Sequence, residues 1–260
     1  MHDLKVTLVQ TALVWQNIEA NLAMFDAKID GLADETDLIV LPEMFSTGFS
    51  MDAARLAEKM AGTAVSWLRE KSAQKNVDIT GSLIIAEGGK YFKRLVWAKP
   101  DGTLSTYDKR HLFRMAGEQK VYTAGEKNIT VALKGWKIRP FVCYDLRFPV
   151  WTRNVQQGYD AAIFIANWPE KRAAHWKALL RARAIENQAF VVGVNRVGED
   201  GTGTAHSGDS CVIDPAGAIL FQKSHSDCIR TVTLSRQQLQ RYRESFPAWM
   251  DADAFEIRDA

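Results

Sequence analysis

Residues 137–149, KIRPFVCYDLRFP, decide how this 260-residue chain is read. An apolar run over 137–142 stops at Cys143 and turns through Tyr144, Asp145, Leu146 and Arg147 toward a helix expected near Pro149. Strand, elbow and helix in succession form the local unit of an α/β domain. The same unit recurs downstream. AAIFIA at 161–166 and AFVVGV at 189–194 are apolar throughout, as expected of strands covered on both faces. Between them, 172–187 places Trp176, Leu179, Leu180 and Ala184 at helical spacing. Upstream, 5–10 and 38–41 read as strands, and 17–32 as an amphipathic helix capped by Asn17. A second helix is expected over 63–76, and a hairpin over 78–87 and 90–99 around Gly88-Gly89. Strands at 103–108 and 129–133, a hairpin at 210–213 and 218–222, and a helix at 235–243 complete the pattern. Hairpins among buried strands mean mixed rather than purely parallel sheets.

Composition narrows the function classes. The chain has 33 basic and 31 acidic side chains, a net charge of +2, which argues against nucleic acid or an anionic membrane as the main partner. No apolar run approaches a membrane span, and the opening MHDLKVTLVQT shows no secretory pattern. Cys143, Cys211 and Cys228 are odd in number and widely spaced. They suit neither a disulfide framework nor a zinc site, and they suggest a reducing cytoplasm. No linker or repeat divides the sequence, so residues 1–260 are expected to form one domain. The glycine-rich stretch 198–208, GEDGTGTAHSG, reads as a flexible loop. It lacks the Gly-Lys-Ser/Thr ending of a phosphate loop.

In open α/β sheets, reactive groups gather beyond the carboxyl ends of the strands. Three such ends carry chemistry here: Glu43 in Leu-Pro-Glu-Met-Phe, Lys109 in Tyr-Asp-Lys-Arg-His-Leu-Phe, and Cys143. An elbow holds the Cys143 side chain out of the sheet and lets the Tyr144 N–H face a developing oxyanion. The following helix and a nearby cation are expected to lower the thiol pKa. The bland alternative for any cysteine is a small buried hydrophobe, which is the reading kept for Cys211 and Cys228. Glu43 has apolar neighbours, a setting in which a carboxylate can serve as general base. The basic run around Lys109 could instead be a solvated face, although Leu112 and Phe113 interrupt it. His111, His175 and His206 remain alternative bases for a Cys–His pair, without support from their spacing.

Taken in order, the segments around Glu43, Lys109 and Cys143 resemble the nitrilase (carbon–nitrogen hydrolase) superfamily. Ala166-Asn167-Trp168-Pro169, the segment 182–188 (ARAIENQ) and Gly208-Asp209-Ser210 extend the resemblance to about Asp214. It implies a four-layer α-β-β-α sandwich, commonly paired into a homodimer, with Glu43, Lys109 and Cys143 as catalytic triad. It also implies a supporting role for Glu118 in positioning substrate and lysine, and chemistry without metal or organic cofactor. The sequence is most similar to the omega-amidase branch, through Arg-Phe-Pro-Val-Trp after the cysteine and the ending Phe-Pro-Ala-Trp-Met-Asp-Ala-Asp. That branch hydrolyses the terminal amide of 2-oxoglutaramate or 2-oxosuccinamate through a thioester. Other implied possibilities are a deaminated glutathione amidase and a catalytically silent binding protein on the same fold. Val150 stands where many members carry Glu, so pocket details of distant branches do not transfer. A substrate carboxylate needs a cationic receptor. Arg172 is the first candidate, with Trp168 as a possible pocket wall. Arg147 is expected in a structural ion pair with Asp145 or neighbouring chain, and Arg183 in one with Glu186. The segment 246–260 could cover a subunit interface or fray.

Overall fold

Period-two alternation separates the layers. In β1 (Leu4–Gln10), Leu4, Val6 and Leu8 join one buried cluster while Val9 joins another. β2 (Leu38–Val40) divides in the same way, with Leu38 and Val40 on one side and Ile39 on the other. Strands apolar on both faces need a covering layer on each. On the outer face the cover is helical. α1 (Ile18–Asp30) contributes Phe25 and Ile29, the single turn α2 (Ala53–Leu56) packs apart in a small cluster with Met44 and Ile84, and α3 (Thr63–Lys75) contributes Val65 and Leu68. The Asn17 side chain accepts the Ala20 N–H at 3.0 Å, as its position predicts for a helix cap. Asn76, in the left-handed region at φ 55°, ends α3.

The computed structural model describes residues 2–257. β3 (Asp78–Glu87), β4 (Lys90–Ala98) and β5 (Leu104–Asp108) complete the run β1-β2-β3-β4-β5, parallel from β1 to β3 and antiparallel thereafter. The second sheet holds β6 (Val131–Leu133), β7 (Trp136–Val142), β8 (Ala161–Ala166) and β9 (Phe190–Asn195). β10 (Val197–Glu199), β11 (Ala205–Ile213) and β12 (Ile219–Ser224) extend it, with β7, β8 and β9 mutually parallel. The last strand, β13 (Cys228–Leu234), returns to lie antiparallel to β1. The one-turn α4 (Pro149–Thr152) joins β7 to β8, and α5 (Ala173–Asn187) joins β8 to β9. α5 packs on the second sheet where Gly193 gives it room: a Cβ there would sit 2.6 Å from Leu180. Residues of both sheets, Leu8, Leu95, Trp97, Ile138 and Ile163 among them, share one core. The result is a four-layer α-β-β-α sandwich with mixed sheets. The final helix, α6 (Arg236–Ser245), is tied down by Arg243, which donates to the Gln188 and Tyr159 carbonyls and to Asp160.

Two expectations change. The stretch 198–208 is largely a hairpin of β10 and β11, because one Asp200 oxygen accepts the Thr202 and Thr204 N–H groups and the Thr202 hydroxyl and so fixes the turn. The helix expected after Pro149 is only one turn long, and a 3₁₀ segment, Cys143–Arg147, precedes it. In the C-terminal segment, Gln188 binds the Phe246 carbonyl and the Trp249 N–H, so the chain to that point packs on itself. Residues 258–260 of that segment lie outside the described residues. No helix among the described residues is long and apolar enough to cross a membrane.

Gly81 in β3 connects this packing to the chemistry. A Cβ there would lie 2.7 Å from the Phe45 ring and 3.0 Å from Leu41, the residues that flank the Glu43 turn. Gly81→Ala should therefore destabilise the protein by about 1–3 kcal/mol through overpacking. Thermal unfolding checks this, and an unchanged midpoint would show that the turn yields without cost.

Candidate active site

The carboxyl ends of β2, β5, β7 and β8 meet at one edge of the sandwich. Beyond β2, the Leu41 N–H still bonds the Thr80 carbonyl, and the Ser82 hydroxyl accepts the Met44 N–H at 2.9 Å. Glu43 between them is turned inward and fully buried. One of its carboxylate oxygens accepts Lys109 Nζ at 3.1 Å and the other accepts the Asn167 N–H at 2.9 Å. The Asn167 amide also donates to the Glu43 carbonyl, so the segment after β8 grips both ends of this residue. Lys109 follows β5 and donates its backbone N–H to the Lys93 carbonyl at 3.0 Å. Its ammonium also reaches Glu118 Oε1 at 3.0 Å.

Cys143 occupies the elbow with φ 47°, in the left-handed region, a conformation that a non-glycine residue holds only when its surroundings impose it. Asp145 imposes it. Its carboxylate accepts the Val142 N–H at 3.1 Å, the His111 N–H at 2.9 Å and the Tyr107 hydroxyl at 2.7 Å. Arg183 braces the far side of the turn through the Leu146 carbonyl at 2.7 Å and also pairs with Glu186, as expected. The Glu43 charge acts directly on the thiol.

The electrostatics reverse one expectation. Burial, reinforced by the Glu43 charge, pushes the Cys143 thiol well above its ordinary range, and Lys109 only partly opposes this. The short 3₁₀ turn and a single cation shared with two carboxylates do not offset the desolvation. Burial disfavours the Lys109 ammonium too, but Glu118 and Glu43 outweigh it and raise the lysine well above its usual value. For Glu118, burial is overcome by Lys109 and Lys93, and the carboxyl is held at about 2. The resting set is thus a neutral thiol beside a lysine that keeps its proton.

Cys143, Lys109, Glu118, Tyr144, Trp168 and Arg172 all line a cavity of about 510 Å³. Trp168 is both wall and core: it packs on Trp176 at 5.4 Å, and its indole N–H holds the Arg172 carbonyl at 2.8 Å. Among the described residues no carboxylate acts on Arg172. Arg147 departs from expectation, because Asp145 is occupied by the elbow. Its guanidinium instead lines the cavity, 4.8 Å from the Trp168 ring and 3.0 Å from His175 Nδ1. The histidines do not assemble a Cys–His pair. His111 bonds Asp145 and stacks on Phe148, and His175 takes Arg147. Burial and Arg196 depress His206 to about 4. Cys211 is buried in β11 and Cys228 half-buried in β13, both away from the cavity lining. Among the described residues no cluster of His, Cys, Asp and Glu could hold a metal ion.

Lys93, Asp145 as the elbow brace, and Asn167 as the clamp on Glu43 come to light only in the structure. Lys93 carried a signal. It falls in phase with Leu95 and Trp97 on the inward face of β4, where an unpaired lysine would not be tolerated.

Comparison with known proteins agrees with this geometry. Residues 5–244 match the carbon-nitrogen hydrolase family. The chain is 49% identical over 259 residues to omega-amidase YafV of Escherichia coli K12, covering 99% of this chain and all of that one. It is 30% identical over 250 residues to 2-oxoglutaramate amidase of Bacillus subtilis, covering 95% and 96% of the two chains. A solved structure, XC1258 from Xanthomonas campestris, is a CN-hydrolase superfamily protein with an arsenic adduct in its active site. It superposes with a TM-score of 0.97 at 44% identity, covering 99% of this chain and all of that one. Motifs, layers and comparisons converge, and the chain belongs to the carbon-nitrogen hydrolase family.

Proposed function

We propose that the protein is a cysteine-dependent omega-amidase that converts the terminal amide of 2-oxoglutaramate or 2-oxosuccinamate to the 2-oxo diacid and ammonia. The observation that carries this reading is the fully buried Lys109 ammonium held between Glu43 and Glu118 beside the Cys143 thiol. Relatives named omega-amidase and 2-oxoglutaramate amidase support the substrate class. Because Glu43 and Lys109 belong to the first sheet and Cys143 to the second, the chain is proposed to act as one domain.

The raised thiol pKa determines the order of events. Cys143 Sγ attacks the amide carbonyl as its proton passes to Glu43, so no free thiolate accumulates in the resting enzyme. Negative charge develops on the carbonyl oxygen, which Lys109 and the Tyr144 N–H receive, each donor worth about 3 kcal/mol. Glu43 returns the proton to the amide nitrogen, the C–N bond breaks, and ammonia leaves a thioester. A water, deprotonated by Glu43, adds to the thioester carbonyl. The C–S bond then breaks and the thiol is restored with that proton. Glu118 fixes Lys109 throughout and supports substrate placement.

The substrate carboxylate is assigned to Arg172, with Arg147 beside it. Burial, and after it the Arg147 charge, disfavours the Arg172 cation, and an incoming carboxylate relieves both. Trp168 walls this part of the cavity.

Three outcomes test the proposal. The ratio of kcat/KM for 2-oxoglutaramate over glutamine should strongly favour the former, and a preference for glutamine would defeat the assignment. Arg172→Ala should raise KM for 2-oxo-acid amides by about tenfold or more while leaving neutral amides within about twofold. Equal effects on both would remove the arginine from carboxylate binding. Iodoacetamide labelling of Cys143 should keep accelerating as pH passes the ordinary thiol value of 9.0, because the raised pKa delays thiolate formation. A plateau near neutrality would reveal a preformed thiolate instead.

A further inference from the structure

Lys93 is fully buried in β4 and lies outside the lining of the cavity. Its ammonium donates to Glu118 Oε1 at 2.8 Å, the same oxygen that accepts Lys109 at 3.0 Å. It also sits 3.7 Å from the centre of the Phe49 ring and 4.9 Å from that of Tyr122. Lys93, Glu118, Lys109 and Glu43 therefore form a chain of alternating charge, and the Glu43 charge at its end acts on the Cys143 thiol.

The second lysine keeps the buried charges balanced along the proposed reaction. At rest, two carboxylates face two ammonium groups and a neutral thiol, and the buried set is neutral. When the tetrahedral oxyanion forms, Glu43 has become a neutral acid, and the oxyanion and Glu118 face Lys109 and Lys93. The set is neutral again. Without Lys93, one negative charge would be uncompensated at both stages among buried side chains, where charges are weakly screened. Lys109 would then be drawn to Glu118 at the expense of the oxyanion. We propose that Lys93 is a positioning residue for the amidase reaction, acting through Glu118 to leave the Lys109 ammonium available to the oxyanion. The inference rests on Cys143 being the nucleophile.

The groups facing Lys93 are Glu118 and Tyr122, from the segment that follows Lys109, with Lys109 itself and Glu43. Burial favours its neutral form, and the opposing pull of Glu118 leaves it below the ordinary lysine value. Loss of that proton as pH rises removes the balancing charge, so activity should fall on the alkaline side while Lys109 remains charged.

Lys93→Gln keeps an N–H donor for Glu118 and removes the charge. Steady-state kinetics with 2-oxoglutaramate should show kcat lower by about tenfold or more and KM within about twofold, because Lys93 does not touch substrate. In a Glu118→Gln background the same substitution should change kcat by less than about twofold. Wild-type kcat should decline below the ordinary lysine value of 10.5, and that decline should be missing in Lys93→Gln. An unaltered kcat and pH profile in Lys93→Gln, an equal loss in both backgrounds, or a rise in KM alone would overturn the proposal. Should the variant not fold, the wild-type profile still decides: no alkaline decline below that value overturns the proposal. A wild-type chain without amide turnover would defeat the reading of the site and this inference together, and that first measurement identifies the case.

Discussion

The position of one ammonium group governs the site. Lys109 Nζ lies 3.1 Å from Glu43 and 3.0 Å from Glu118 with no exposure to solvent. A lone cation could not stay charged in such a place, and a lone carboxylate could not stay ionised there. Each group therefore holds its charge only while the others are present. This mutual dependence makes the fold answerable to the site. Glu43 arrives after β2, Lys109 after β5, Cys143 after β7, and Asn167 after β8, so the two sheets must be in register against each other for the charges to meet.

The same arrangement explains why the thiol is guarded rather than pre-ionised. With Lys109 divided between two carboxylates, burial keeps Cys143 protonated at rest, and in the proposed reaction the incoming carbonyl receives the developing charge. The three donors collected by Asp145 hold the left-handed backbone at Cys143, and in the proposed mechanism the thiol proton passes to Glu43. In the proposed reaction, geometry held in advance spares reorganisation.

Much of this was legible in the sequence, for definite physical reasons. Apolar strands such as AAIFIA declare double coverage, and Asn17 declares a helix start, because both signals are local. The structure brings Glu43, Lys109 and Cys143 together, and each could be singled out in the sequence because it ends a strand in a recognisable segment. What stayed hidden depends on contacts distant in sequence. The sign of the Cys143 shift required knowing how many carboxylates share Lys109. The placement of Arg147 required knowing that Asp145 is already occupied by Tyr107, His111 and Val142. Glycine content makes 198–208 read as a loop, whereas the turn chemistry of Asp200 closes a hairpin there. Lys93 was visible only as an anomaly of phase in β4.

The central claim is that Cys143 carries the acyl group during turnover, and acid-quenched intact mass spectrometry during reaction with 2-oxoglutaramate addresses it most directly. The expected result is a protein heavier by the substrate less ammonia, the added mass mapping to the peptide that contains Cys143, with both adduct and turnover lost in Cys143→Ala. Sustained ammonia release by Cys143→Ala, or an adduct mapping to Cys211 or Cys228, would contradict it.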